Sequence, residues 1–176
     1  MRGARGRVTA GSGNRGVGGG PGAADGARTT YVLAESPKFT DVLPDWPPET
    51  VAILATAGEG PHAIPVSAAV RAGPRHALLG LAASRGSLAR LRADPRVSLA
   101  IVSEAVAVTA YGRARVLDDE VATGVVAVEV EVERVADHDR PTFVIEAGVR
   151  WRWTDPDAGR RDAEVRAALQ RLADRH

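Results

Sequence analysis

The chain has 176 residues, 44% of them hydrophobic, 26% charged and only 4% aromatic, and 23 Lys and Arg against 22 acids leave a formal charge of +1. That length suits one domain with a substantial core, since a chain of roughly 150 residues buries about 68–70% of its unfolded surface on folding. With no Cys, disulfide frameworks, Cys-ligated zinc, iron–sulfur clusters and thiol catalysis are excluded.

Residues 1–28 hold ten of the 19 glycines, five Arg (2, 5, 7, 15 and 28) and one acid, Asp25. That is a charge of +4, so the remaining chain carries about −3. The segment has no apolar periodicity and too few large side chains to offset the entropy of ordering, so it is predicted to be a disordered tail. It contains Gly11-Ser12-Gly13-Asn14-Arg15-Gly16, which spells G-x-G-x-x-G. A dinucleotide site needs a buried strand before that motif and a helix after it, and Arg/Gly-rich flanks supply neither. The match is read as chance. An Arg/Gly tail can also bind RNA, but the acidic body argues against a nucleic-acid partner. No run approaches the ~18 apolar residues of a membrane span, so a soluble, cytoplasmic protein is expected.

Residues 29–176 are predicted to form the folded domain. Residues 37–48 read as an irregular lead-in with a short helical turn over 40–43. Residues 51–56 form an apolar run, and Gly58-Glu-Gly-Pro61 is a turn signal before a second run over 62–71, which together predict a hairpin. Gly73-Pro74 turns the chain into a third strand over 76–81. A short helix follows, with Leu88 and Leu91 at i, i+3, Ser84 or Ser87 as its cap and Asp94-Pro95 as its stop. Strands are then predicted over 97–102 and 105–117, with Asp118-Asp119-Glu120 as a turn. Residues 126–135 alternate most clearly, Val128, Val130 and Val132 against Glu129, Glu131 and Glu133. The acids are expected on a solvated sheet face, opposite either Arg150 and Arg152 or Arg113 and Arg115. Short strands over 143–145 and 149–153 and a terminal helix marked by Val165, Ala168, Leu169 and Leu172 complete the set. The fold class expected is mainly β: a split β-barrel of six or seven antiparallel strands, Greek-key type, with peripheral helices.

The catalytic inventory is thin. There is no G-x-S-x-G elbow, no G-K-[ST] loop and no H-E-x-x-H motif. Lys38 sits in the lead-in and is a poor Schiff-base candidate; Asp137-His138-Asp139 reads as a solvated loop, and His62 and His76 lack a second ligand at a telling spacing, so no metal site is expected. One stretch carries a mechanism. Ala83-Ser84-Arg85-Gly86-Ser87 brings two hydroxyls, a permanent cation and a Gly to the start of a helix, and Arg90 and Arg92 follow within its first turns. Free helix N–H groups and a guanidinium suit a phosphate, with ordinary N-capping as the plain structural reading.

These pieces carry a resemblance. Leu54-Ala-Thr56, Gly60-Pro-His-Ala-Ile-Pro-Val66, Ser87-Leu-Ala-Arg-Leu-Arg-Ala-Asp-Pro-Arg-Val-Ser-Leu99 and Tyr111-Gly-Arg-Ala-Arg-Val116 lie within residues 51–118, about two-fifths of the chain. This stretch resembles the flavin-binding split-barrel family of pyridoxamine 5'-phosphate oxidase-like proteins, which includes deazaflavin-dependent reductases. The resemblance implies a homodimer holding FMN, or the related 8-hydroxy-5-deazaflavin coenzyme, at the subunit interface. It maps the ring-lining strand onto His62, Ala63, Ile64, Pro65, Val66 and Ser67. It maps the phosphate site onto Ser84, Arg85, Ser87 and Arg90, and an aromatic from the partner chain onto Trp151 or Trp153. Many members carry Lys where Ser87 stands and Asn where Arg90 stands. The true pyridoxamine phosphate oxidases add an Arg/Lys pair on the second strand and a C-terminal Arg-x-His motif, both missing here. The function implied is a flavin- or deazaflavin-dependent oxidoreductase acting on another small molecule, without an identifiable catalytic residue. The alternative is a non-catalytic dimer that binds, stores or senses a flavin.

Overall fold

The computed structural model describes residues 38–176. The predicted tail and its G-x-G-x-x-G match lie outside them. The elements are β1 (Lys38–Thr40), β2 (Ala52–Thr56), β3 (His62–Val66), β4 (Ala69–Gly73), β5 (His76–Ala82), α1 (Gly86–Ala93), β6 (Arg96–Ser103), β7 (Val106–Ala122), β8 (Val125–Asp137) and α2 (Pro156–Ala173). The strands form one antiparallel sheet in the order β3-β2-β6-β7-β8-β5-β4, with β1 on β8 beyond β5.

The two ends of that order are consecutive in sequence. β3 stops at Val66 and β4 starts at Ala69. Three peptide units span at most about 11 Å, whereas seven flat strands at a spacing of about 4.8 Å would set the ends about 29 Å apart. The sheet must therefore curl until β3 and β4 meet, yet they share no strand pairing. This is the split barrel expected, mainly β with two peripheral helices, but in eight strands instead of six or seven because the lead-in adds β1 and the run over 62–71 divides.

Inside the barrel, Leu54, Leu79, Leu99, Ile101, Val130 and Val132 are fully buried, each burial stabilising by about 1.5–3 kcal/mol. Leu43 joins them, so the lead-in makes an extended β1 and a core plug instead of the helical turn expected over 40–43. Outside the barrel, α2 lays Val165 and Leu169 on Leu78 and Ala127. Pro156 in its first turn and the Asp155 carboxylate, which accepts from Asp157 N–H, start that helix.

Four further expectations need correcting. The run over 62–71 is two strands, because Ser67 turns out of the sheet to donate to Asp162 Oδ1 on α2 (2.7 Å). Residues 118–120 continue β7 through register shifts, and the turn falls at Gly124, whose φ of +73° suits glycine. Residues 143–145 and 149–153 are irregular rather than strands: they pass the β6–β7 turn, and both edges of β6 and β7 are already paired. Of the two pairings expected for the acid ladder, the structure has the one with β7, Arg113 opposite Glu131 and Arg115 opposite Glu129; what departs is the exposure of the ladder. Glu131 and Glu133 are exposed as expected, but Glu129 is buried. Burial pushes its carboxyl up, and the Arg115 hydrogen bonds and charge, helped by His176 and His76, outweigh this and hold it below its ordinary value.

Candidate functional site

The β2–β3 hairpin and the start of α1 meet at one corner of the barrel. Leu88 and Leu91 anchor α1 in the core, one helical turn apart. Ser87 and Arg90, one residue behind each, are thereby turned toward the hairpin. Ser87 is 2% exposed and its Oγ shares a hydrogen bond of 3.1 Å with His62 Nε2 on β3. Arg90 donates from Nε to Thr56 Oγ1 (3.2 Å) and from Nη2 to the Gly60 carbonyl (2.6 Å). Its guanidinium also packs against Gly58, where the chain turns at φ +130°. One Arg thus ties α1 to both sides of the hairpin turn.

The phosphate residues expected from sequence therefore divide. Ser84 and Arg85 are exposed at the helix start, and Arg85 is the N-cap with no side chain bonding the first-turn N–H groups. Neither Ser84 nor Ser87 caps the helix, contrary to expectation, because the Ser87 hydroxyl is spent on His62. Arg90 braces the hairpin instead of facing outward. At the other end of α1 the Asp94 carboxylate accepts from Arg96 N–H (3.1 Å) and from its guanidinium, which holds the Asp94 pKa down at about 2.

β3 ends the sheet order, so one of its edges has no strand partner. Along it Ala63 and Pro65 are exposed, Ile64 packs on the core, Val66 is buried and Ser67 is held by α2. A groove of 510 Å³ runs beside the hairpin between Thr56, Pro61, Arg96 and Tyr111. Trp151 and Trp153 pack edge to face, centroids 4.9 Å apart, and line a different cavity of 340 Å³ with Glu49 and Arg166. His138 Nε2 is hydrogen-bonded to Thr109 Oγ1 (2.8 Å). Thr56 and Gly60 escaped the sequence reading. An apolar run and a turn motif say nothing about a cation 30 and 34 residues away reaching back to them.

The profile of the family described as pyridoxamine 5'-phosphate oxidase matches residues 40–152. No curated protein matches the chain. Solved structures with a similar fold include HupZ of Group A Streptococcus, at 14% identity and TM-score 0.46, covering 56% of this chain and 90% of that one. An F420 reductase is similar at 10% identity and TM-score 0.45, covering 50% and 90%. A heme binding protein from Mycobacterium smegmatis is similar at 20% identity and TM-score 0.43, covering 53% and 51%. Among the described residues, no helix is long and apolar enough to cross a membrane.

Proposed function

The chain belongs to the pyridoxamine 5'-phosphate oxidase family, and on that premise we propose that it is an oxidoreductase that binds FMN or the 8-hydroxy-5-deazaflavin coenzyme between two copies of itself. The observation that carries this reading is the His62–Ser87 hydrogen bond. It joins the strand assigned to the cofactor ring to the helix start assigned to its phosphate, two segments that the sequence separates by 25 residues.

Each element suits its part. The free edge of β3 offers backbone N–H and C=O groups to a planar heteroaromatic ring, except at Pro65, which has no N–H. The α1 start offers uncapped N–H groups, the Ser84 hydroxyl and the Arg85 guanidinium to an anion. Ser87 and Arg90 act one layer back: the first orients His62 and the second fixes the hairpin against the helix. A bound flavin or deazaflavin supplies hydride transfer, and the protein's share is orientation and exclusion of water. The substrate is a small molecule other than pyridoxamine phosphate, because the second strand lacks the basic pair those oxidases place there.

The test is a purified, full-length preparation. A dimer whose absorbance bleaches on reduction and whose extracted small molecule has the mass of FMN or the deazaflavin coenzyme is expected. Ser84→Ala with Arg85→Ala should weaken FMN binding about 10- to 150-fold, the equivalent of one charge-assisted hydrogen bond at 1.5–3 kcal/mol. A colourless protein that takes up neither cofactor overturns the reading.

A further inference from the structure

On the outer face of the sheet, away from the β3–α1 corner, three potential ligands converge. Glu129 lies on β8 opposite Leu78 of β5, and His76 is two residues before Leu78, on the same face and one diagonal step away. α2 is anchored on this face by Val165 and Leu169, and the turn after it, with His176 N–H bonded to the Ala173 carbonyl, sets His176 over the same carboxylate. His76 Nδ1 is 3.2 Å and His176 Nε2 3.5 Å from the same oxygen, Glu129 Oε1. The three ligand atoms all lie within 4.8 Å of one another.

The other carboxylate oxygen is committed elsewhere. Arg115 donates to Glu129 Oε2 from Nε (3.1 Å) and Nη2 (2.6 Å), leaving Oε1 to the imidazoles. The carboxylate is 8% exposed, whereas the His76 and His176 side chains are 36% and 34% exposed, so solvent reaches the trio from the imidazole side. Two imidazoles and a carboxylate are the donor set of open tetrahedral zinc sites, with metal–ligand bonds of about 2.0–2.2 Å that place neighbouring donors about 3.3 Å apart. The two separations from Oε1 are close to that spacing, and the imidazoles, stacked with centroids 5.5 Å apart, need only turn about their own side-chain bonds to aim both nitrogens at one ion.

We propose that His76, Glu129 and His176 form a binding site for a divalent transition metal of the zinc class, with a fourth position open to solvent. Arg115 is the outer partner that fixes the carboxylate, the role carboxylates and carbonyls play toward ligating histidines elsewhere. The site stands apart from the cofactor reading and does not depend on it.

The experiment uses the untagged full chain, stripped of metal by a chelator and titrated with Zn²⁺ against a chromophoric chelator. One tightly held Zn²⁺ per chain is expected, with a raised melting temperature when it is bound. His76→Ala and His176→Ala should each weaken the affinity by at least about 10- to 100-fold, the range lost even with an outer-shell partner, and Glu129→Gln should do the same. His138→Ala, whose ring is engaged with Thr109, should leave it unchanged. His176 is exposed beyond α2, so its variant stays informative should Glu129→Gln fail to fold. No Zn²⁺ bound, or wild-type affinity retained in both His76→Ala and His176→Ala, overturns the proposal and leaves the trio as a hydrogen-bonded clasp on the end of α2.

Discussion

The β7–β8 ribbon and residues 138–155 are built from similar sequence and end in different structures. In the ribbon, Val128, Val130 and Val132 alternate with glutamates and are completely buried. In the later stretch Phe143, Val144, Val149, Trp151 and Trp153 are equally strand-like residues, yet 36–83% of each is exposed and the backbone is irregular. The difference is one of partners. β8 is flanked by β7 on one side and by β5 and β1 on the other, and β6 lies between β2 and β7. By the time the chain reaches residue 138 those edges are filled. The later stretch instead passes the β6–β7 turn, where the Ala105 N–H bonds the Ile145 carbonyl (3.3 Å) and Gly148 lies against the Val102 carbonyl. β propensity thus describes a side chain that fits a pleated surface, and becomes a strand only where an edge receives it.

Glycine substitutions test this contrast most sharply. A Cβ on Gly112 would sit 2.0 Å from the Glu131 carbonyl oxygen, at the β7–β8 register shift after Tyr111. Both strands are pinned on their far sides, so Gly112→Ala should cost about 3 kcal/mol and lower the melting temperature by about 6–12 °C. Val130→Ala, in the barrel interior, should cost about 2 kcal/mol by denaturant titration, from lost transfer energy and a residual cavity. Gly148→Ala meets a carbonyl at 2.3 Å, almost as closely as Gly112. Its segment has no ladder to hold it in place and can shift, so about 1 kcal/mol is expected; a loss equal to that of Gly112→Ala would erase the distinction between the two regions. Val144→Ala, at an 83% exposed position, should stay within about 0.5 kcal/mol of wild type.

The smallest effect belongs to the end of the ladder, where Arg96 on β6 and Arg113 on β7 are directly opposite. Like charges so placed repel, and the Asp94 carboxylate beside them relieves it. Its pKa falls from the ordinary 3.8 to about 2 in the folded protein, so its contribution is complete above 3.8 and is lost as the pH falls through 2. Asp94→Asn should lower the melting temperature slightly at neutral pH, and the difference from wild type should close between pH 4 and pH 2.

How much could be read in advance differs from element to element. Val128, Val130 and Val132 announced β8 because period 2 on a half-buried sheet is unambiguous, and Leu88, Leu91 and Asp94-Pro95 marked α1 and its end. Ser84 and Arg85 were found as a helix start from residue types alone. Ser87 and Arg90 were assigned with Ser84 and Arg85 to one phosphate site, and their bonds to the β2–β3 hairpin were not foreseen, since a one-residue rotation about a short helix decides whether a polar side chain faces solvent or the hairpin. Glu129 was read with Glu131 and Glu133, and nothing in a period-2 pattern says that His176, carried past the end of a later helix, will reach only one of the three.

Local order in the chain determined what each segment prefers: alternation, turns at Gly and Pro, a helix stopped at Asp94-Pro95, and chemistry free of thiols. Those preferences act over a few residues, and so they are visible in a few residues. Tertiary structure alone decided which edges were filled before residues 138–155 arrived, which hydroxyl met His62, and which glutamate was buried between His76, Arg115 and His176. Each of those outcomes depends on contacts between segments far apart in sequence, where burial and the competition for strand edges outweigh local propensity.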